Sequence, residues 1–324
     1  MKVLILNYHR VCPGYHIDPE TFERQIKTLK EKFIPLTLND SVSFVKGKLN
    51  LKKDGFAITF DDGWADNFIY AYPILKKYNI PATIFIGTNF ISNKKIIRPT
   101  LKDYWDNKIS YEQLFKNKEI NKAITEFSNI GYSEDFLTWY EINSMEPLIQ
   151  VESHSHTHAY HFNSNKIIGS FKNILTDRQT CLLLSKTQIK TGAPVYQSGS
   201  VLTYPRYFED KNIFENFNDY KNRVKNELET SITKIAENTG YRPKYLAWPF
   251  GEYNKTAIKI AEKNGFQACF TTKQGFIKQN DDYYRLRRFS PPKNHKIFLM
   301  TIKGTLGINF YRLIAFIFSI FKRV

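Results

Sequence analysis

Cysteine is scarce. The 324-residue chain holds three, Cys12, Cys181 and Cys269, far apart and never in a C-x-x-C pair. That argues against a sulfur-ligated metal site and points to reduced thiols in a reducing compartment. Arginine is also scarce, 12 against 35 lysines, and the lysines are scattered rather than gathered in a stripe. Proteins that read nucleic acid lean on clustered arginine, so no nucleic-acid partner is expected. No internal repeat is present. The first nine residues carry only a short apolar run, broken by Asn7, and no small-residue cleavage site follows. This is a poor secretory leader, and a cytoplasmic protein is expected. Acidic residues are too few to balance the basic ones, leaving a formal charge of +16. Two readings of that excess stand: general surface charge, or attraction to anionic lipid headgroups, where each nearby cation adds about 1 kcal/mol.

Apolar and aromatic residues are plentiful, so a packed core rather than disorder is the default. Val3 to Tyr8 reads as a buried strand. Asp18-Pro19 opens a helix, with Asp as cap and Pro in the first turn. Residues 56–60 form a second strand, residues 67–78 a helix and residues 81–86 a third strand. The alternation resumes late, with a long helix through Val224, Leu228, Ile232 and Ile235. A strand at 245–248, a helix ending at Gly265, and strands at 266–270 and 284–289 follow. Buried strands alternating with helices predict a parallel sheet covered by helices. Residues 92–146 and 162–218 break the rhythm and read as two insertions, the first holding a helix at 138–145. They either shape a substrate site or elaborate the surface.

The chemistry concentrates in two places. Thr59-Phe60-Asp61-Asp62-Gly63 ends the second strand with two adjacent carboxylates. Some ninety residues later comes His154-Ser155-His156-Thr157-His158. Of seven histidines, four fall between positions 154 and 161, which favours a site over scattered structural use. On a helical turn His154 and His158 face the same way, and His156 points elsewhere. Two carboxylates side by side in a concave site repel each other and lose hydration, at a cost of several kcal/mol. A divalent cation removes that cost. The set can supply three ligands and leave one carboxylate as a base, the minimum for metal-assisted hydrolysis.

These two motifs, with Pro249-Phe250-Gly251, resemble the three motifs of the NodB-type polysaccharide deacetylases, carbohydrate esterase family 4. The opening Leu6-Asn7-Tyr8-His9-Arg10-Val11 and Asp18-Pro19-Glu20-Thr21-Phe22 are similar to the permuted branch of that family, which includes poly-N-acetylglucosamine deacetylases. The resemblance covers about 1–90, 138–160 and 220–290. It implies a distorted (β/α)7 barrel over residues 1–305 and a divalent metal held by Asp62, His154 and His158. Zinc suits such ligands, with cobalt or nickel as alternatives. By position, Asp61 would be the general base, the backbone N–H of Phe250 would face the oxyanion, and His9 would protonate the leaving amine. An acid is required because a neutral amine leaves and an amide anion does not.

The third motif of the family usually carries an arginine that orients the base. Leu246-Ala247-Trp248-Pro249 has none, so Arg285, Arg287 and Arg288 are the candidates to replace it. Trp64 and Trp248 would wall the pocket and stack on a sugar, unless they are ordinary core. His295 is a fallback acid, and His16 and His161 have no assigned role. The resemblance implies an N-acetylated amino sugar as substrate. A silent glycan-binding member and a hydrolase of O-acetyl esters are the competing readings.

In the C-terminal stretch 306–324, Leu313-Ile314-Ala315-Phe316-Ile317-Phe318 and Ile320-Phe321 are almost unbroken apolar residues, closed by Lys322-Arg323. The run is too short to span a bilayer, which needs about 20 residues. It suits a helix lying in the membrane interface or one packed on the barrel. With the absent leader, the first alternative points to the inner leaflet and a lipid-linked precursor of a surface glycan.

Overall fold

The computed structural model describes residues 1–186 and 189–303. The apolar run expected to form a C-terminal helix therefore lies outside the described residues. Among those described, no helix is long and apolar enough to cross a membrane.

The first half alternates as expected. It runs β1 (Val3–Tyr8), α1 (Pro19–Lys32), β2 (Ile34–Pro35), α2 (Leu38–Val45), β3 (Gly55–Asp62), α3 (Tyr72–Tyr78) and β4 (Ala82–Ile86). Local chemistry fixes the helix starts. Asp18 accepts from the Thr21 amide at 2.8 Å and Pro19 occupies the first turn of α1, so an otherwise orphaned donor is satisfied. Thr37 and Asp40 cap α2 reciprocally. The expected helix over 67–78 is in two parts, a π-turn over Asn67–Ala71 running into α3.

The first insertion holds α4 (Leu101–Trp105), α5 (Ile120–Ile130) and α6 (Trp139–Ser144), the last capped by Thr138. It is followed by β5 (Ile149–Ser153), a strand absent from the sequence reading. The second insertion holds a long antiparallel hairpin, β6 (Tyr160–Ser170) and β7 (Pro194–Ser200), with α7 (Asp177–Leu183) between its arms. Two short strands, β8 (Tyr207–Phe208) and β9 (Ile213–Phe214), complete it. Then come α8 (Phe217–Thr239), β10 (Tyr245–Ala247), α9 (Lys255–Lys263), β11 (Ala268–Phe270) and α10 (His295–Lys303).

Strands β1, β3, β4, β5, β10 and β11 lie side by side in that order, and β2 pairs with the start of β3. Every pairing in this seven-stranded sheet is parallel. The expected strand at 284–289 is reduced to single bridges, Phe270 to Leu286 on one side and Leu6 to Phe289 on the other. That suffices to join β11 back to β1. The Thr271 amide bonds to the Leu286 carbonyl at 2.8 Å, and the Asn7 amide to the Phe289 carbonyl at 2.7 Å. The sheet curls into a small barrel closed by this segment.

Period-two alternation sorts the strands into two faces. Val3, Ile5, Ala57, Phe85, Ala247 and Phe270 fill the interior. Leu4, Leu6, Phe56, Ile58 and Phe60 pack outward against Phe22, Ile26 and Leu29 of α1 and Ile74 and Leu75 of α3. Burial on both faces is what makes these strands read as unbroken apolar runs. The two insertions pack on each other rather than lying free. Ala123, Ile124 and Phe127 of α5 share one cluster with Cys181 and Leu182 of α7 and Phe162 of β6.

Glu152 on β5 is buried, with no salt bridge among the described residues, and fastens the turn before β10. It accepts from Tyr241 Oη at 2.7 Å, the Lys244 amide at 2.7 Å and the Tyr245 amide at 2.8 Å. Burial pushes its pKa from an ordinary 4.5 up to about 7, against these three bonds. The folded chain thus binds this proton more tightly than the unfolded chain. The resulting stability is fully present below pH 4.5 and is lost as pH rises through about 7. A Gln at 152 can accept from both amides and donate to Tyr241, but does not titrate. Denaturant midpoints measured across that window are therefore expected to fall for the wild type relative to Glu152→Gln, by up to roughly 3 kcal/mol.

Candidate metal centre and active site

Strand register brings the motifs to one end of the barrel. Asp61 pairs with Phe85 and Asp62 with Ile86, Ile86 with Ser153, and Ser153 with Leu246. The residues that leave the carboxyl ends of β3, β5 and β10 therefore meet, as is usual for sites on parallel sheets.

Strand alternation would send Asp61 and Asp62 to opposite faces. Instead Asp62 adopts a left-handed backbone, φ 78°, and Gly63 follows at φ 92°. A side chain at Gly63 would also lie 2.9 Å from Ile91 Cδ1, so glycine is required twice over. The left-handed step ends the pleat, and both carboxylates feel the same imidazoles, His9 and His154.

Asp61 is claimed by one cation. Arg288 donates Nη1 to Oδ1 at 2.7 Å and Nη2 to Oδ2 at 2.8 Å, with both side chains buried. Arg288 is itself held by Thr271 O at 3.1 Å and lies over the Phe85 ring. Burial pushes the Asp61 carboxyl up, but Arg288 and His154 outweigh it and hold the group below the usual carboxylate range. Of the three arginines considered from the sequence, only this one reaches Asp61. Arg285 is exposed and pairs with Asp282, and the exposed Arg287 lies against Gly275. Alternation along the closing segment explains the choice: Arg288 turns inward and Arg287 outward.

Asp62 is arranged differently. Its Oδ2 accepts from Trp64 Nε1 at 2.9 Å. Its Oδ1 is buried with no hydrogen-bond partner, and lies 3.5 Å from His154 Nε2 and 3.4 Å from His158 Nε2. Atoms bound at about 2.0–2.1 Å to one tetrahedral ion are separated by about this much. His154 Nδ1 bonds to the Ala247 carbonyl at 2.8 Å, which leaves Nε2 as the free lone pair and fixes the ring. Burial pushes His158 down to about 4, against the pull of Asp62, so it is neutral and able to ligate near neutral pH. Burial pushes His154 down as well, but Asp61 and Asp62 outweigh it and hold that ring above the usual histidine range, the response of an imidazole facing acids, of which Asp62 has no cation yet to offset its charge. An orphaned acid oxygen between two ring nitrogens fits a divalent ion. Among the described residues, Asp62, His154 and His158 form such a metal-capable triad.

The histidines do not reach this geometry on a helical turn. They lie on a loop leaving β5, in which Ser155 (φ 69°) and His158 (φ 52°) are left-handed. Two such residues are incompatible with an α-helix. His156 points away, as expected, to Thr88 Oγ1 at 2.9 Å. His161 is buried, and burial with nearby Arg223 and Arg206 pushes it down to about 3.

His9 is exposed at the end of β1, its carbonyl accepting from Asn67 Nδ2 at 2.9 Å. Phe250 is left-handed, φ 59°, with its ring stacked on Tyr160 at 4.1 Å and 4.4 Å from the His158 ring. Gly251 beside it has no room for a side chain, since a Cβ there would run into Thr272.

Trp64 and Trp248 do not offer a face to a sugar. They are 1% and 0% exposed. Trp248 sits in the apolar layer under α8 and α9, its Nε1 bonded to the Tyr284 carbonyl. Trp64 is stacked on Phe136 at 4.5 Å and spends its N–H on Asp62. Beneath it lies a network that sequence reasoning missed. Arg10 sits 4.5 Å over the Trp64 ring, donates to Asp66 Oδ2 at 2.8 Å and reaches Asp135 Oδ1 at 3.4 Å, all fully buried. The available signal was Arg10 directly after His9, and Asp66 two residues after Trp64.

Comparisons with known proteins bear on the family and the fold. The polysaccharide deacetylase family model matches residues 48–269, and the chain belongs to that family. A poly-beta-1,6-N-acetyl-D-glucosamine N-deacetylase of Staphylococcus epidermidis is 26% identical over 89% of this chain and 78% of its own length. The enzyme of that name from Staphylococcus aureus strain N315 is 34% identical, over 42% of this chain and 60% of its own. Among solved structures, IcaB from Ammonifex degensii aligns with a TM-score of 0.60 at 18% identity, over 92% of this chain and 95% of that one. A de-N-acetylase from Aggregatibacter actinomycetemcomitans aligns with a TM-score of 0.64 at 20% identity, over 94% and 100%. The curled barrel is the fold of those deacetylases.

The Trp64 bond to Asp62 can be isolated. Trp64→Phe keeps an aromatic stack on Phe136 and removes the N–H. Zinc affinity measured by competition with a chelating dye is expected to weaken about 10- to 100-fold, as for other groups that orient a ligand. The melting temperature of the metal-free protein should change little.

Proposed function

We propose that the chain is a metal-dependent N-deacetylase that removes acetyl groups from amino sugars of a cell-surface glycan or its precursor. The observation that carries this reading is the division of labour between adjacent carboxylates: Asp61 forked by Arg288, Asp62 left with a free buried oxygen between two imidazoles. A divalent ion held by Asp62, His154 and His158, most suitably zinc, with cobalt or nickel as alternatives, supplies Lewis acidity that activates water and polarises the acetyl carbonyl.

The chain's own residues do the rest. Both oxygens of Asp61 face Arg288, so it serves as proton acceptor rather than ligand. Its depressed pKa keeps it ionised and ready to take the proton from the attacking water. Oxygen adds to the acyl carbon, and the backbone N–H of Phe250 donates to the negative oxygen. The C–N bond breaks as His9 delivers a proton to nitrogen, so that a neutral amine and acetate leave. His9 is the exposed member of the set, as a group that must meet substrate and solvent should be. An intact base, ligand triad and acid do not favour a silent glycan-binding protein. Amide is preferred to ester because His9 is provided; an alkoxide needs such an acid less.

The reading extends to place. The apolar run at 306–324 with its terminal Lys322-Arg323, and the net charge of +16, support a cytoplasmic protein held at the inner leaflet. A lipid-linked amino-sugar precursor is the substrate such a position would offer. Fractionation of cells carrying the full chain, or the chain cut after residue 305, tests this. The full chain is expected with membranes and the truncated one in the soluble fraction; identical behaviour contradicts it.

Two substitutions test the chemistry. Asp61→Asn is expected to abolish acetate release from N-acetyl sugars while one equivalent of zinc still binds; retained turnover removes Asp61 as base. Arg288→Lys keeps a charge but loses the two-pronged contact. Less well compensated, the Asp61 pKa rises, and because activity needs the ionised form, the acid limb of the kcat/KM profile should move to higher pH.

A further inference from the structure

The loop that carries His154 and His158 is held from one side by helix α8. Ser153, the residue before His154, bonds through its Oγ to Ser231 Oγ at 2.8 Å, with both side chains fully buried. Thr157, the residue before His158, is gripped twice. Glu227 Oε1 accepts from its amide at 2.5 Å and from its hydroxyl at 2.8 Å. Glu227 and Ser231 both belong to α8 and are four residues apart, so they lie one above the other on a single face. The spacing of the grips on the helix thus repeats the spacing of the ligands on the loop.

The loop needs outside support. Ser155 and His158 are left-handed, a conformation that residues with a side chain hold only where the surroundings impose it. Bonds within the loop are long: the His158 amide to Ser155 Oγ and the Ser155 amide to Ser153 Oγ are both 3.2 Å. From the β4 side, the Thr88 and Asn89 amides donate to the Ser155 and His156 carbonyls at 3.3 and 2.9 Å. Those bonds steady the middle of the loop, whereas α8 takes hold of the side chains directly before each ligand. Among the described residues, both hydrogen bonds of the Glu227 side chain go to Thr157. A carboxylate only accepts, so the Thr157 hydroxyl donates, and both bonds are of the strong, charge-assisted kind. Arg223, one turn earlier on the same face, forks Glu215 at 2.8 and 2.7 Å and donates to the Tyr204 carbonyl at 3.1 Å. One stripe of α8 therefore fastens the second insertion at one end and the histidine loop at the other.

We propose that Glu227 and Ser231 are positioning residues for the metal centre. They set the separation of the His154 and His158 imidazoles, and with it the affinity for the ion and the arrangement of ligands around it. Glu227 acts through the place of its oxygen rather than through its charge. The proposal rests on the metal-dependent reading above and asks nothing of the substrate.

Three measurements on the full-length protein test it: zinc affinity by competition with a chelating dye, the visible spectrum of the cobalt-loaded protein, and the melting temperature of the metal-free protein. Glu227→Ala is expected to weaken zinc binding about 10- to 100-fold and to shift the cobalt bands, which report ligand geometry. Glu227→Gln keeps an oxygen able to accept from both Thr157 donors, and should restore the wild-type affinity and spectrum. Ser231→Ala, which loses its bond to Ser153, should weaken zinc binding and shift the bands in the same direction. Thr157→Val removes one donor and little volume; it takes the place of Glu227→Ala should that variant not fold, with the same expectation. Wild-type affinity and spectrum in an alanine variant, whether or not its melting temperature falls, overturns the proposal for that residue. A Gln variant as impaired as the Ala variant overturns it as well, because charge would then be the cause. A wild type that takes up neither zinc nor cobalt removes the metal centre and this proposal together. A wild type that binds zinc but releases no acetate from N-acetyl sugars contradicts the deacetylase alone, since the grip is read from the ion and not from turnover.

Discussion

Two neighbouring acids, buried together at the mouth of a barrel, are the constraint to which the rest of the molecule answers. Each alone would resist ionisation there, and side by side they would repel. The fold resolves this asymmetrically. Asp61 receives a guanidinium, in a pair with almost no exposure. Asp62 receives an indole N–H on one oxygen and two ring nitrogens near the other. The asymmetry creates two functions from one residue type. The acid whose oxygens are both occupied keeps its charge and can only accept a proton. The acid with an empty oxygen can take a cation.

Closure of the barrel and electrostatics of the site are one event. The segment 286–289 joins β11 to β1 through a few backbone bonds, which is a weak seam by the standard of a regular strand. Its single inward cation, Arg288, adds the fork to Asp61 and bonds to Thr271 and Thr59. Removing one member of a buried pair costs about 3–5 kcal/mol, because the other is left uncompensated. The seam and the base therefore hold each other in place. The insertions contribute in the same way. The Phe136 ring stacks on Trp64, the Ala65 amide bonds to the Asp135 carbonyl, and Asp135 accepts from Arg10. The first insertion is thereby clamped to the strand end that bears the acids.

Much of this was legible in the residues, and the failures have physical causes. Strands β1, β3 and β4 were plain because burial on both faces leaves only apolar letters. β5 was missed because Gln150 and Glu152 interrupt its run, and only the fold shows that Glu152 is buried against two backbone amides and a tyrosine. The grouping of Asp62, His154 and His158 followed from resemblance to a family. The route did not: i, i+4 spacing suggested a helical turn, whereas two left-handed residues bend a loop to the same end. Choosing among Arg285, Arg287 and Arg288 needed the direction of each side chain, which one-residue spacing leaves undecided. The tryptophans were misjudged for a general reason. A large aromatic beside a reactive motif can face a ligand or brace the motif from behind, and composition does not distinguish the two.

The central claim is that one ion sits between Asp62, His154 and His158 with Asp61 outside its coordination shell. Anomalous diffraction from zinc-soaked crystals tests it most directly. The account predicts a single strong peak about 2.0–2.1 Å from Asp62 Oδ1, His154 Nε2 and His158 Nε2, with Asp61 still paired to Arg288. A peak bridged by both carboxylates, or no peak at this position under saturating zinc, would contradict it.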